Sequence, residues 1–272
     1  LETTFSKNLA EFDEKILFTR VQLEGCTETF IESLEKQEVD GAEYYVATSK
    51  YPDVEGVSSY AKNPDSRRRI YVLFNSRAPA NQAILEEAVR IRAELASILG
   101  YETHADFIVE DRLAKSRTAV LAFEEDLWAK LKPLAESDLK ALKEMKAKDL
   151  GVSVDSVSFD AWDNSYYSRL LKERDYSINN EELKEYFEVS HVVPEMLKIY
   201  EATLGLKFTR TDSISVWHGE AMAFEVKDSE SDVIIGYFYL DLHPRDGKYT
   251  HAACFPLIPG HLRGDGSRQV PV

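Results

Sequence analysis

The hydrophobic period of this chain changes once, at Gly205, and that change limits what the chain can fold into. Up to Leu204 the apolar residues recur at helical spacing, on one stripe of each segment. From Leu206 they alternate, which places them on one face of a strand. Helices followed by strands read as α+β: mainly α, with a small antiparallel β-sheet near the C-terminus. The expected division is a helical body over residues 1–205 and an antiparallel sheet region over residues 206–272.

Within the first part, Leu9, Phe12 and Ile16 lie at near-helical spacing. Thr19-x-x-Gln22 and Thr29-x-x-Glu32 have the form of capping boxes, so short helices are expected near Thr19 and near residues 27–29. Residues 44–47 read as a short extended piece. Tyr51-Pro52-Asp53 and Asn63-Pro64-Asp65 put proline in the first turn of two helices, and Ala78-Pro79 interrupts the second. Ile84, Ala88, Ile91, Leu95 and Leu99 form a stripe that Gly100 closes. The longest stripe, Val120, Phe123, Leu127, Leu131, Leu134, Leu142 and Met145, predicts a helix over 118–149 that Pro133 kinks or divides. Further helices fit residues 159–171, 180–187 and 192–204.

In the second part Met222, Phe224 and Val226 share a strand face, and a polar loop at 228–232 follows. Next, Ile234, Phe238, Leu240 and Leu242 form an apolar back opposite Ile235, Tyr237, Tyr239 and Asp241. Pro244-Arg245-Asp246-Gly247 carries turn residues, with Asp246-Gly247 supplying positive φ. A β-hairpin is therefore expected, its second strand running over 248–255.

Charge and composition narrow the partners. Lys and Arg number 33 against 48 Asp and Glu, so the net charge of −15 opposes attraction to phosphate backbones, and nucleic acid is not expected. No apolar run approaches the ~20 residues of a membrane span. The first residues, LETTFSKNLAEF, lack the apolar core of a secretory signal and the Arg-rich character of a transit peptide, and read like the interior of a longer chain. Cys26 and Cys254 are too few and too far apart for a disulfide framework, which fits a reducing, cytoplasmic setting.

The candidate chemistry is sparse. Among His104, His191, His218, His243, His251 and His261 no two stand at i, i+4, and His-Glu-x-x-His is absent. His218, His243 and His251 could converge on a suitably paired sheet, although separately bonded strand histidines are the commoner arrangement. Asp241 and Arg245, with Glu225, suggest a polar cluster or a half-buried ion pair. Trp162, Asp163, Tyr166 and Tyr167 either line a peptide pocket or pack a helix into the core. Arg67, Arg68 and Arg69 spread around a helix and are expected in solvent. Gly264-Asp265-Gly266 lacks the Lys-Ser/Thr of a P-loop, and no Gly-x-Ser-x-Gly elbow occurs. These residues alone leave the function open.

The segments FTRVQLEG, FNSRAPANQAILEEAVRIRAELASILGYETHADF, AWDNSYY, VWHGE, GYFYLDLHPRDGKYTHAACF and GSRQ occur in that order. Together they resemble a continuous portion of the thimet oligopeptidase, neurolysin and saccharolysin family of zinc metallo-oligopeptidases. The resemblance implies a partial metallo-oligopeptidase fold, both parts of the chain belonging to one mostly helical, clam-shaped enzyme whose deep channel admits short peptides. In that family His-Glu-x-x-His follows Gly-Ser-Arg-Gln after some tens of residues, with a glutamate ligand and stabilising groups later still. None of these is in the 272 residues. No catalytic or metal-binding residue, and no bound zinc, is therefore expected here. The expectation is a truncated fragment of a zinc metalloendopeptidase, inactive alone, or else a non-catalytic peptide-binding or interaction module. His243 and Gly219 depart from the tyrosine and the acidic residue usual in the family.

In that family the sheet is a wall of the channel, and a substrate peptide lies along a strand edge, where main-chain pairing tolerates varied sequences. The resemblance thus implies Gly247, Lys248, Tyr249, His251, Ala252 and Ala253 as substrate-binding residues, with Asp241 and Arg245 holding the turn. The implied partners are short peptides, the missing catalytic half, or a second copy of the chain.

Overall fold

The first departure from the helical expectation comes early. After helix α1 (Glu2–Ala10), Ile16 lies in strand β1 (Lys15–Phe18) and does not continue a helical stripe. The computed structural model describes residues 1–245, 247–249 and 252–272. Thr19 and Gln22 exchange the two bonds of a capping box, at 2.9 and 3.3 Å, but the chain there forms turns and no helix. Helix α2 (Glu28–Ser33) begins at Thr27, whose side chain accepts from the Phe30 N–H at 3.2 Å.

Strands β2 (Glu35–Val39) and β3 (Ala42–Thr48) are joined at Asp40-Gly41, both at positive φ, 52° and 78°, which suits the twist of a two-residue hairpin. The three strands form an antiparallel sheet in the order β1-β3-β2. Among the described residues, then, sheet occurs within residues 1–205 as well as near the C-terminus. The chain remains about half helical, an α+β architecture.

Helices α3 (Tyr51–Tyr60) and α4 (Pro64–Asn75) start with proline in the first turn, as their sequences predict, and Asn63 caps α4 through the Asp65 N–H at 2.9 Å. Phe18, Leu23, Ile31, Ala47, Val57, Ala61 and Ile70 form the buried centre between these elements and the sheet. Helix α5 (Asn81–Ile98) leads to α6 (His104–Val109), which Thr103 and Asp106 close with a reciprocal capping box. Helix α7 (Arg117–Leu150) runs unbroken through Pro133. Residues 121–140 are all exposed, so water can serve the carbonyl that loses its donor to the proline. Gly151 ends the helix at φ 66°.

A 3₁₀ turn (Ala161–Asp163) precedes α8 (Asn164–Tyr176), and here the arginine triplet corrects the sequence expectation. Arg67 is 1% exposed and Asp163 is fully buried. Arg67 Nη2 donates to Asp163 Oδ1 at 2.8 Å, and Lys146 Nζ donates to Oδ2 at 2.7 Å. Arg67 Nη1 also donates to the Ala61 and Lys62 carbonyls at 2.9 Å, capping the end of α3. Its guanidinium lies 4.4 Å from the ring centre of Tyr166. Arg69 donates to the Leu17 carbonyl at 3.0 Å and covers the Phe18 ring, so only Arg68 remains in solvent. Tyr166 and Tyr167 are buried, which assigns the aromatic cluster to the core.

The described chain divides into two compact units, Leu1–Ser177 and Ile178–Val272. In the second, α9 (Asn180–Lys184) and α10 (Val189–Leu204) precede an antiparallel sheet in the order β4-β5-β6, formed by Leu206–Arg210, Met222–Asp228 and Ile234–Leu240. The unit boundary falls at the left-handed Ser177, upstream of the change of period at Gly205. A short pair, β7 (His261–Leu262) and β8 (Arg268–Gln269), closes around Gly266 at φ 82°.

Two outcomes follow from the first unit. Burial raises the Asp163 carboxyl, but the bonds from Lys146 and Arg67 outweigh it and hold the group below the usual range. A depressed folded pKa contributes stability that is present above the unfolded value of ~3.9 and lost as pH falls through the folded one. Asp163→Asn should therefore cost about 3–5 kcal/mol at neutral pH by leaving two cations unpaired. The gap between the urea midpoints of the two proteins should narrow below about pH 4; a gap unchanged between about pH 7 and pH 3 would contradict this account. Gly56→Ala should also destabilise, despite the ~1 kcal/mol that alanine adds to a helix interior. An added Cβ would overlap the Phe30 ring, and a thermal midpoint at or above that of the parent would refute the clash.

Candidate functional site

The second sheet is held by aromatic contacts on one face. Phe224 and Phe238 stack at 4.9 Å with planes 6° apart, and Phe208 meets Phe238 edge-on at 5.7 Å. Strand β6 pairs with β5 from Ile234↔Lys227 to Leu240↔Met222 and then stops. Asp241, the next residue, gathers its neighbours. Arg245 binds its carboxylate with two bonds of 2.7 Å, Lys248 Nζ donates to Oδ1 at 3.0 Å, and Trp217 Nε1–H donates to Oδ2 at 2.9 Å. These bonds, Arg245 first, hold the Asp241 carboxyl well below the usual carboxylate range against a smaller opposing effect of burial.

The expected Asp241–Arg245 pair is thus present, with Lys248 and Trp217 where Glu225 was anticipated. Glu225 pairs with Lys227 at 3.2 Å instead. The Trp217 ring packs 4.9 Å from that of Tyr239, whose hydroxyl donates to the Ser215 carbonyl at 3.1 Å. Strand alternation gives no sign of Trp217, which comes from the irregular stretch between β4 and β5.

Among the described residues of the expected second hairpin strand, 248, 249 and 252–255, none carries a strand ladder. Lys248 also donates to the Asp241 and His243 carbonyls at 2.7 and 2.6 Å, which fastens the turn instead of extending a strand. On β6 the Tyr237 N–H donates at 3.0 Å to Pro271, near the end of the chain. Of the residues implied for substrate binding, Gly247 is exposed at φ 71°, Lys248 is committed to the turn, and Ala252 and Ala253 are exposed. Tyr249 is exposed and meets Phe255 edge-on at 5.6 Å. His251, like Asp246 of the expected turn, lies outside the described residues. Ala253, Cys254 and Phe255 are exposed and engage in no main-chain hydrogen bond among the described residues.

A model of the peptidase M3 family matches residues 57–272. The chain belongs to peptidase family M3. It is 38% identical to saccharolysin of Saccharomyces cerevisiae, an alignment covering 98% of this chain and 39% of that protein. It is 34% identical to the thimet-like oligopeptidase of Dictyostelium discoideum, over 98% of this chain and 41% of that one. A probable thimet oligopeptidase of Arabidopsis thaliana is 29% identical over the whole of this chain and 38% of its own length. This M3 chain spans about two fifths of the length of the curated relatives it matches.

The M3 chain contains no His-Glu-x-x-His, and among the described residues no three His, Cys, Asp or Glu side chains stand together as a ligand set. His218 Nδ1 accepts from the Glu220 N–H at 3.2 Å, and His261 Nδ1 lies 3.1 Å from the Pro259 carbonyl. No helix among the described residues is long and apolar enough to cross a membrane.

The two thiols differ sharply. Burial pushes Cys26 up to about 12, and its Sγ donates to the Gly56 carbonyl at 3.5 Å, whereas Cys254 is exposed in the unpaired stretch. At about pH 8 a disulfide reagent should titrate one thiol rapidly in the native protein and the second only on unfolding. Two fast thiols in the native state would contradict the burial of Cys26.

Proposed function

We propose that these residues are the substrate-side part of a cytoplasmic oligopeptidase of family M3 that cleaves short peptides. On this reading they hold an extended peptide, and the zinc that such an enzyme requires is bound by residues outside them. The 272 residues alone then do not hydrolyse peptides, since they lack the means to activate water. The observation that carries the reading is the family match over residues 57–272, joined to a sequence without the zinc motif. The names of the relatives, saccharolysin and thimet-like oligopeptidase, support the substrate class. The main chain of residues 253–255, free among the described residues, supports the manner of binding, because unpaired main-chain groups offer donors and acceptors regardless of side chains.

A second reading, a non-catalytic interaction module, draws on α7. Phe123, Leu127, Trp128, Leu131 and Leu134 are all at least 40% exposed on this helix, an apolar surface of the kind partners cover.

The test is to incubate the purified chain with zinc and a quenched fluorescent peptide while following Cys254 with the disulfide reagent. No chelator-sensitive cleavage is expected, while the peptide slows the reaction of Cys254. Turnover with one equivalent of bound zinc, or a Cys254 rate unmoved by saturating peptide, would defeat the proposal.

A further inference from the structure

The carboxylate of Asp241 is fully subscribed. Oδ1 accepts from Arg245 Nη1 and Lys248 Nζ, and Oδ2 accepts from Arg245 Nη2 and Trp217 Nε1, at distances between 2.7 and 3.0 Å. Two donors on each oxygen use the acceptor capacity of a carboxylate. Lys248 is equally committed, because its three protons are matched by Asp241 Oδ1 and the carbonyls of Asp241 and His243. Groups without spare bonding capacity make poor ligand contacts. What they can do is fix geometry.

The pieces they fix come from three places: Trp217 from the stretch before β5, Asp241 from the end of β6, and Arg245 and Lys248 from the turn. The side chains of Asp241, Arg245 and Lys248 are 14%, 23% and 21% exposed, so the cluster is drier than the surface pairs that contribute almost nothing. Next to Lys248, the Tyr249 ring packs edge-on against Phe255, at the end of the stretch with free main-chain groups.

We infer that Asp241 is a positioning residue for peptide binding. Its carboxylate locks Arg245, Lys248 and Trp217 together and, through the Tyr249–Phe255 contact, sets the course of residues 253–255, whose main chain receives an extended peptide. The inference rests on the peptide-binding role proposed above. It adds that the binding edge is held in place by a charged hub that never touches the ligand.

The test uses fluorescence anisotropy with the 272-residue chain and a fluorescein-labelled, proline-free nonapeptide, alongside the same peptide N-methylated at alternate residues. The unmodified peptide should bind and the methylated one should not, because methylation removes the donors an edge requires. Asp241→Asn should weaken binding about tenfold or more, since misplacing a binding group costs that much even when the group itself is intact. Glu225→Gln, which removes the pair with Lys227 on the same sheet, should leave the affinity unchanged and so controls for general loosening of the sheet. Trp217→Phe and Lys248→Gln each remove one arm of the hub and should give smaller losses.

Asp241→Asn binding within about twofold of the parent overturns the inference and leaves the proposed function standing. Equal losses in Asp241→Asn and Glu225→Gln overturn it too, as a generic effect of the sheet. A parent chain that binds neither peptide overturns the proposed function and the inference with it. Should Asp241→Asn fail to fold by circular dichroism, unchanged affinity in both Trp217→Phe and Lys248→Gln overturns the inference.

Discussion

The contact on which the first unit depends is the buried meeting of Arg67, Asp163 and Lys146. It joins α4, the 3₁₀ turn before α8, and α7, and its members stand 96 and 17 residues apart in sequence. Two cations and one anion taken out of water are costly, and an apolar replacement of similar volume is often as stable. What apolar packing lacks is direction. Asp163 accepts from Arg67, from Lys146 and from the Asp160 N–H, while Arg67 also caps α3 and lies over Tyr166. A shift of one helix that breaks any of these bonds leaves a charged group unpaired in the core. Arg67 Nε remains without a partner, a residual cost of the burial.

The second unit repeats the device nearer the surface. Asp241 again collects a guanidinium and an ammonium, but Trp217 replaces the backbone donor, and the cluster sits at the end of a strand instead of between helices. The difference in burial sets the difference in role. Around Asp163 the bonds fix the packing of a core, whereas around Asp241 they fix the departure of an exposed chain from a sheet. Among the described residues the turn that was expected to give a second strand is a fastened loop, Lys248 directing its protons to the carbonyls of residues 241 and 243.

Helix α7 poses a different physical problem. Residues 121–140 span about 30 Å of helix and are exposed throughout. Their stripe of Phe123, Leu127, Leu131 and Leu134 has the spacing of a core face, yet Leu134 is 59% exposed. Propensity alone supports a helix weakly, and Pro133 removes one of its bonds. Most of the stability of a helix comes from packing of its apolar face, and along residues 121–140 of α7 that face meets no other part of the described chain closely enough to be buried.

Local geometry was the legible part of the chain. Proline in the first turns of α3 and α4, and Gly100 and Gly205 at helix ends, each act within a few residues, and each is where the sequence places it. Of the first sheet only residues 44–47, within β3, were read as extended; β2, Glu-Lys-Gln-Glu-Val, was missed because it is an almost wholly exposed edge strand without alternation. The Asp40-Gly41 turn between the two strands carried a further signal. Arg67 was misplaced for another reason: three adjacent arginines look alike in sequence, and only the carbonyls at the end of α3 and a carboxylate 96 residues away distinguish the first of them. Lys248 shows the same limit at the candidate site. The family resemblance implies it for substrate, whereas its commitment to Asp241 depends on the path of the turn. A side chain's role is legible when its partner is fixed by local spacing, and it is lost when the partner is chosen by the fold.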